Sequence, residues 1–465
     1  MNKPLNHYPY LAEARRTLQI ALPVITAQLA HISLGFIDTV MAGNLSPRDL
    51  GAIAIGRSLY VPLYIFVLGI LLAMNPIVAQ LQGAGKTGEI GKSLPQGLWL
   101  SLMLALPGFL LVRSINALLP VLEVTPEIIP VTEGYLNALS WGLPAVFGYL
   151  ALRFFSEGLS LTRPNMYFTL LAIPLNILGN YVFMYGRFGF PRMGAVGAGW
   201  ATMLVWWVMF LGMLLFILKG KRFREYNIID HFRRPFWPAI KEILNIGVPN
   251  GVSVTLEVGM FALTAILVGT MGVTAVASHQ IAINFASITF MIPLGISIAV
   301  TARVGNEAGR GSYHGVLIAG RVGIGLSVLV MFCTAALMLL LPEAIAGIYT
   351  GDPTVINLAV QLIFLAAVFQ LSDGLQVSAS GALRGLKDTK VPMYVNLVAY
   401  WMIGFPLGYY LGIIRQLGPK GFWIGWIAGL TVAAAILPWR FFRLSNLRRQ
   451  RVERPLEVNV LAGED

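Results

Sequence analysis

Two stretches of sequence decide the fold: Leu18–Gly43, LQIALPVITAQLAHISLGFIDTVMAG, and Leu244–Gly269, LNIGVPNGVSVTLEVGMFALTAILVG. Each is longer than the roughly 20 apolar residues that an α-helix needs to cross a bilayer. Offset by 226 residues, the two stretches share Leu, Ile, Pro and Gly at matching positions, namely Leu18/Leu244, Ile20/Ile246, Pro23/Pro249 and Gly43/Gly269. The chain therefore contains a repeated membrane-spanning segment.

The composition extends this conclusion to the whole chain. Of its 465 residues, 57% are hydrophobic and only 12% are charged, with a mean hydropathy of +0.73. Soluble globular proteins devote about 25% of their residues to charged side chains. A water-soluble enzyme and a single-span anchor are therefore excluded. The apolar stretches are long and continuous rather than alternating, which also excludes an outer-membrane barrel.

The apolar stretches of spanning length predict twelve transmembrane helices. They lie at 17–42, 50–80, 94–120, 133–153, 166–186, 194–218, 243–270, 274–300, 316–342, 355–382, 391–414 and 420–441.

The repeat extends beyond the first span of each half, because the same offset aligns VAQLQGAG at residue 78 with VGNEAGRG at residue 304. A six-helix unit has both ends on one face, so its duplication gives parallel repeats about an axis along the membrane normal. We predict an all-α integral membrane protein of two parallel six-helix lobes with pseudo-two-fold symmetry. The expected units are an N-lobe at 1–218, a basic linker at 219–242, a C-lobe at 243–441 and a tail at 442–465.

The basic residues predict the orientation in the membrane. Most of the 33 Lys and Arg residues fall in the termini and the even-numbered connections, so both termini are expected in the cytoplasm. This explains the net charge of +12 without nucleic acid, which we do not expect as a partner. The single cysteine, Cys333, excludes a disulfide framework.

Three acidic residues lie well inside predicted spans: Asp38, Glu257 and Asp373. A charged side chain at the bilayer centre costs between about 2.5 and more than 10 kcal/mol. No lysine lies in the interior of a span, and we place the near-buried arginine candidates at span ends: Arg57, Arg153, Arg303 and Arg321. A mobile cation is therefore the expected partner of the three carboxylates.

Polar and aromatic residues surround these acids on predicted helix faces. Asn176 and Asn180 share one face of the fifth span and can coordinate a cation or bond a neighbouring helix. Further candidates for the lining of a substrate cavity are His31, Met260, Phe261, Gln280, Phe369 and Gln376. Acids with methionines and aromatic rings suit a lipophilic cation.

The residue types are compatible with two coupling ions: sodium, which needs several oxygen ligands, and a proton, which needs one carboxylate. Sodium would use Glu257, Asp373 and Asp38. The sequence contains no P-loop, HExxH, GxSxG or paired DDxxD motif, so we expect a protein that is not an enzyme and binds no cofactor.

Five motifs together resemble the multidrug and toxic compound extrusion family, NorM-like branch. They are GFIDTVMAG at 35–43, NILGNYVF at 176–183, TLEVGMF at 255–261, VGNEAGRG at 304–311 and LSDGLQ at 371–376. The resemblance covers about residues 15 to 445.

This resemblance implies an antiporter of the bacterial cytoplasmic membrane that expels cationic and zwitterionic drugs as sodium or protons enter, working as a monomer. It implies a cation and drug site at Glu257 and Asp373, and a second site at Asp38, Asn176 and Asn180. Sodium-binding relatives can carry a tyrosine one turn before the acid of span ten, where this chain has Phe369. That departure favours proton coupling or a mixed site.

The main alternative is a flippase for lipid-linked sugars, which belongs to a related superfamily of similar architecture. Such a protein needs cations in its cavity to hold a pyrophosphate, whereas this sequence predicts carboxylates there. A membrane-embedded enzyme would cluster its polar groups at a membrane face, whereas Asp38, Glu257 and Asp373 lie deep in three separate spans.

Overall fold

The computed structural model describes residues 9–115, 119–120, 125–232 and 234–453, and its regular structure is helical throughout. The predicted tail 442–465 therefore lies outside the described residues from 454 onward, as do the first eight residues of the predicted N-lobe. The first half contains α1 (Pro9–Gly43), α2 (Pro47–Leu71), α3 (Met74–Gly83), α4 (Thr87–Ser114), α5 (Ile129–Ser140), α6 (Leu143–Gly158), α7 (Arg163–Gly179), a π-helix (Asn180–Met184) and α8 (Ala195–Lys219).

A 3-10 helix at Lys221–Tyr226 leads into the second half. This half contains α9 (Trp237–Gly269), α10 (Val273–Gly309), α11 (Tyr313–Leu340), α12 (Pro342–Gly347), α13 (Pro353–Gly385) and α14 (Lys390–Leu397). It ends with a π-helix (Val398–Gly404), α15 (Phe405–Tyr409), a second π-helix (Tyr410–Ile414) and α16 (Pro419–Glu453).

Among the described residues, eleven helical stretches are long and apolar enough to cross a membrane, and the bent pair α5–α6 makes twelve. The predicted all-α fold of twelve transmembrane helices is thus confirmed. Two prolines explain why spans in the first half are broken. Pro144 and Pro76 clash with the carbonyl four residues earlier, so α5 ends at Ser140 and α2 ends just before Leu72.

The helix boundaries repeat at the offset found in the sequence. Thr87–Ser114 and Tyr313–Leu340 differ by 226 residues at both ends. The continuous α10 matches α2 and α3 together, and the continuous α13 matches the bent pair α5–α6. α10 and α13 lack prolines at the positions that correspond to Pro76 and Pro144, and both are unbroken.

Each half of the chain has its own apolar core, and the first helix of each half begins in the core of the other half. Ile20 and Ile25 of α1 pack in the core of the second half, whereas Ile243 and Ile246 of α9 pack in the core of the first half. We use the names N-lobe for α1–α8 and C-lobe for α9–α16. Each lobe is completed by residues from the other.

The lobes touch most closely at the end that carries the linker and the ends of α3 and α10. A Cβ atom at Gly83 would overlap the carbonyl oxygen of Asn306, and one at Gly309 would overlap that of Gln80. Polar contacts add to these backbone contacts: Arg303 donates two hydrogen bonds of 2.7 Å to Glu13 across the lobes. We call the contacts made by Gly83, Gly309 and Arg303 the linker-side seal. Close backbone contacts and an ion pair therefore join the two lobes at that end.

Candidate functional site

The C-lobe brings two of the predicted acids together with a tyrosine. Glu257 on α9 is half-buried, and Asp373 on α13 is only 4% exposed. The carboxylates lie close enough to interact electrostatically. The hydroxyl of Tyr400, from the π-helix Val398–Gly404, lies beside Glu257. Because π-helical turns are frequent at functional sites, this local irregularity is a positioning feature of the cluster.

Several buried oxygens around these acids lack a hydrogen-bond partner among the described residues. They include Oδ1 of Asp373, Oε1 of Gln376 and the hydroxyl of Tyr400. The amide nitrogen of Gln376 donates a hydrogen bond of 3.5 Å to Asn396, and Asn396 donates one of 2.7 Å to Ser253. These two hydrogen bonds orient the Gln376 side chain. Unpaired buried oxygens are costly, and a bound cation would satisfy them.

The N-lobe presents Asp38 to the predicted pair of amides. Asn180 donates a hydrogen bond of 2.8 Å to Oδ1 of Asp38 and a longer one, 3.4 Å, to Asn176. Thr202 on α8 lies 3.5 Å from Oδ2 of Asp38. Asn180 is also the first residue of a π-helix, so both lobes place a polar side chain of the site on a π-helical turn.

A cavity of about 430 Å³ opens next to Asp38. Its wall contains the arginines Arg57 and Arg153, together with His31 and an aromatic surface of tyrosines and Trp206. Tyr60 stacks with Trp206 at a centroid distance of 5.7 Å. This volume lies within the usual range for drug-sized ligands.

The acidic residues inside the protein fall into two groups, those that form ion pairs and those that do not. Glu13 and Glu307 are paired with Arg303, and Glu157 is paired with Arg153 at 2.8 Å. Within the described ranges, Asp38, Glu257 and Asp373 form no ion pair. The unpaired acids are therefore the candidates for binding a mobile cation.

Comparison with known proteins places this arrangement in a family. The model of the MatE family matches residues 23–182 and 249–410, which hold both acidic clusters. The chain belongs to the MatE family. It is 41% identical to the multidrug resistance protein NorM of Photobacterium profundum over 93% of this chain and 95% of that protein. It is 39% identical to the multidrug resistance protein MdtK of Yersinia pseudotuberculosis, with the same coverage of 93% and 95%.

Solved MatE structures have the same fold. An outward-facing multidrug resistance MATE transporter aligns with a TM-score of 0.86 at 18% identity, covering 97% of this chain and 100% of that one. The eukaryotic MATE transporter AtDTX14 aligns with a TM-score of 0.84 at 20% identity, covering 95% of this chain and 99% of that one.

In the structure of this MatE protein, some of the predicted cavity residues lie at the two sites and others lie elsewhere. His31 lines the N-lobe cavity, and Gln376 lies in the C-lobe cluster. Gln280 is exposed. Met260 is fully buried, and Phe369 packs against Trp423 and Trp426 with Phe261 beside it, so these three side chains form part of the C-lobe core.

The structure shows how far two of the arginines that we place at span ends lie from the ends of their helices. Arg57 lies about 15 Å along α2 from its first residue. Arg153 is 2% exposed, and α6 continues past it to Gly158, whereas the predicted span ends at Arg153. The continuation is possible because Glu157, one turn later, neutralises the arginine.

Tyr400 and Arg57 are the site residues that the sequence analysis missed. A tyrosine in an apolar span carries no signal of its own, and the π-helix moves it off the helical face that regular spacing predicts. The sequence does contain a signal for Arg57, because it is a charged residue inside an apolar run. The residues that precede it made its position resemble a span end.

The buried Arg153–Glu157 pair supports the N-lobe cavity and gives a stability prediction. We expect Glu157→Gln to destabilise the protein by about 3–5 kcal/mol, because it leaves the Arg153 charge buried without a counter-ion. Glu89→Gln removes an exposed pair with Lys92, so it should cost at most about 1 kcal/mol. Unfolding of the two purified variants in the same detergent makes the comparison, and equal losses would contradict it.

Proposed function

We propose that the protein is a multidrug efflux antiporter that exports cationic or zwitterionic lipophilic drugs in exchange for sodium ions or protons. One observation carries the proposal: Glu257 and Asp373 lie together inside the C-lobe, and neither forms an ion pair with an arginine or lysine of the described residues. Two interacting carboxylates in a low dielectric attract any cation that reaches them. The names of the NorM and MdtK relatives support drugs as the cargo.

Exchange follows from competition for these carboxylates. A cationic drug and an incoming ion seek the same negative charge, so binding of one weakens binding of the other. The linker-side seal supports alternating access, because a closed end on one side allows entry only from the other. The basic residues near the linker and the ends of α3 and α10 support a cytoplasmic position for the sealed end and both termini.

The oxygen atoms of the C-lobe cluster support a mixed cation site. Phe369 provides no oxygen, but Tyr400 brings a hydroxyl next to Glu257, and Asp373 and Gln376 each keep an unpaired oxygen. These groups offer the several oxygen ligands that a hard cation needs. A proton would use the same carboxylates.

Transport in proteoliposomes tests both the exchange and the ion. We expect an inward sodium gradient without a pH gradient, and a pH gradient without sodium, each to drive export of a cationic dye. Export driven by only one gradient would contradict the mixed site. Export driven by neither would contradict the antiport mechanism as a whole.

The lipid-linked sugar flippase is less well supported than drug export. A pyrophosphate group would require several unpaired cations in the cavity. Arg153 is neutralised by Glu157, which leaves Arg57 as the one unpaired arginine in the described wall of the N-lobe cavity. The C-lobe cluster is acidic, which disfavours a pyrophosphate there.

A further inference from the structure

Arg57 has more hydrogen-bonding capacity than the protein uses. Its guanidinium donates one hydrogen bond, 2.9 Å long, to the carbonyl oxygen of Gly35, and it forms no ion pair within the described residues. A guanidinium carries five N–H donors arranged as a fork that fits a carboxylate. The group therefore points to an anionic partner that comes from outside the chain.

Arg57 and Asp38 form a separated pair of opposite charges in one cavity. Both line the N-lobe cavity, and they do not form an ion pair with each other. Asp38 is already oriented by Asn180 and Thr202, whereas Arg57 has no carboxylate within ion-pair distance among the described residues. A ligand that bridges the two must carry a cation at one end and an anion at the other.

The aromatic residues that line the same cavity indicate what the body of that ligand contains. Tyr60 stacks with Tyr64 at a centroid distance of 5.9 Å and with Trp206 at 5.7 Å. Aromatic side chains of this kind pack favourably against a planar ring system. The cavity thus combines two opposite charges with an aromatic wall.

The position of Arg57 depends on a glycine in the helix opposite. A Cβ atom at Gly35 would overlap the guanidinium nitrogens of Arg57. Because the overlapping atoms are the end of a flexible side chain, an alanine at 35 would displace the guanidinium and leave the helices packed. Gly35→Ala therefore moves the charge without removing it.

We propose that Arg57 is a carboxylate-binding group that makes the N-lobe cavity selective for zwitterionic aromatic substrates, with the substrate ammonium on Asp38 and its carboxylate on Arg57. The inference rests on the proposed function, since it specifies which drugs the N-lobe cavity prefers. It predicts a difference between two ligands that differ only in the anionic group.

The test compares a fluoroquinolone with its methyl ester, which keeps the ammonium and the ring system but lacks the carboxylate. Binding of each to the protein in nanodiscs is followed by the fluorescence of the ligand. We expect Arg57→Gln to weaken fluoroquinolone binding about 10- to 100-fold and to change ester binding by less than about threefold. Arg57→Lys should fall between wild type and Arg57→Gln, because an ammonium lacks the bidentate geometry.

Gly35→Ala provides the second variant, and Arg48→Gln at the exposed start of α2 is the matched control. The alanine should weaken fluoroquinolone binding several-fold with the ester unaffected, whereas the control should leave both unchanged. Equal losses for the two ligands, or no loss in either variant, would overturn the assignment of Arg57. Failure of the proposed function is distinct, because wild-type proteoliposomes would then export neither ligand under any cation gradient.

Discussion

Replacing Asp373 with asparagine is expected to abolish coupled drug export while the protein stays folded in the membrane. The change keeps the volume of a side chain that is 4% exposed and removes its negative charge. Because Asp373 forms no ion pair within the described ranges, its loss leaves no arginine or lysine without a partner. Glu257→Gln should have the same effect, since the proposed cation site uses both carboxylates.

Export of a cationic dye from proteoliposomes under an imposed cation gradient measures this loss, and drug resistance of cells at normal expression gives a second readout. The matched control is Glu343→Gln, which neutralises an exposed carboxylate of the same lobe. That variant should export at the wild-type rate. If both Asp373→Asn and Glu257→Gln still confer resistance, the C-lobe cluster is not the coupling site.

A leucine at Gly309 is expected to prevent closure of the linker-side seal and to stop the transport cycle. Even a Cβ atom at this position would overlap the backbone of Gln80, and a backbone carbonyl cannot rotate away as a side chain can. Gly83→Leu should act in the same way, because Gly83 makes the equivalent contact with Asn306. Such variants should populate conformations in which the linker ends of α3 and α10 are apart.

Pulsed electron paramagnetic resonance between spin labels at two exposed positions, Thr87→Cys and His314→Cys, reports that separation. The only native cysteine is Cys333, so Cys333→Ser supplies a clean background. Gly325→Leu is the control, since a Cβ atom there meets open space. An unchanged distance together with normal transport in Gly309→Leu would refute the seal, and Gly309→Ala gives a smaller shift if the leucine variant does not fold.

The sequence predicted the parts of this site that depend on charge in an apolar span. Asp38, Glu257 and Asp373 are costly wherever they lie in a bilayer, so their positions alone marked them. The amides of Asn176 and Asn180 followed from spacing on a regular helix. The repeat predicted the fold, because its offset of 226 residues reappears in the bounds of α4 and α11.

The parts that were missed depend on geometry that local sequence does not specify. Tyr400 reaches Glu257 from a π-helical turn, where the spacing of an ordinary helix fails. Glu157 can be read from the sequence as an i,i+4 partner of Arg153, but the burial of this pair follows only from the packing of α6. Phe369 looked like cavity lining, but two tryptophans of α16 cover it, and their position follows only from the packed fold.

The start of α1 packs in the core of the C-lobe and the start of α9 packs in the core of the N-lobe, so cutting the chain between the lobes affects both of them. A polypeptide cut near residue 230 would give two fragments, each lacking part of its own interior: Ile243 and Ile246 for the first, Ile20 and Ile25 for the second. Neither half should be stable when produced alone. Co-expressed halves should instead recover a working protein, because each supplies the apolar side chains that the other is missing.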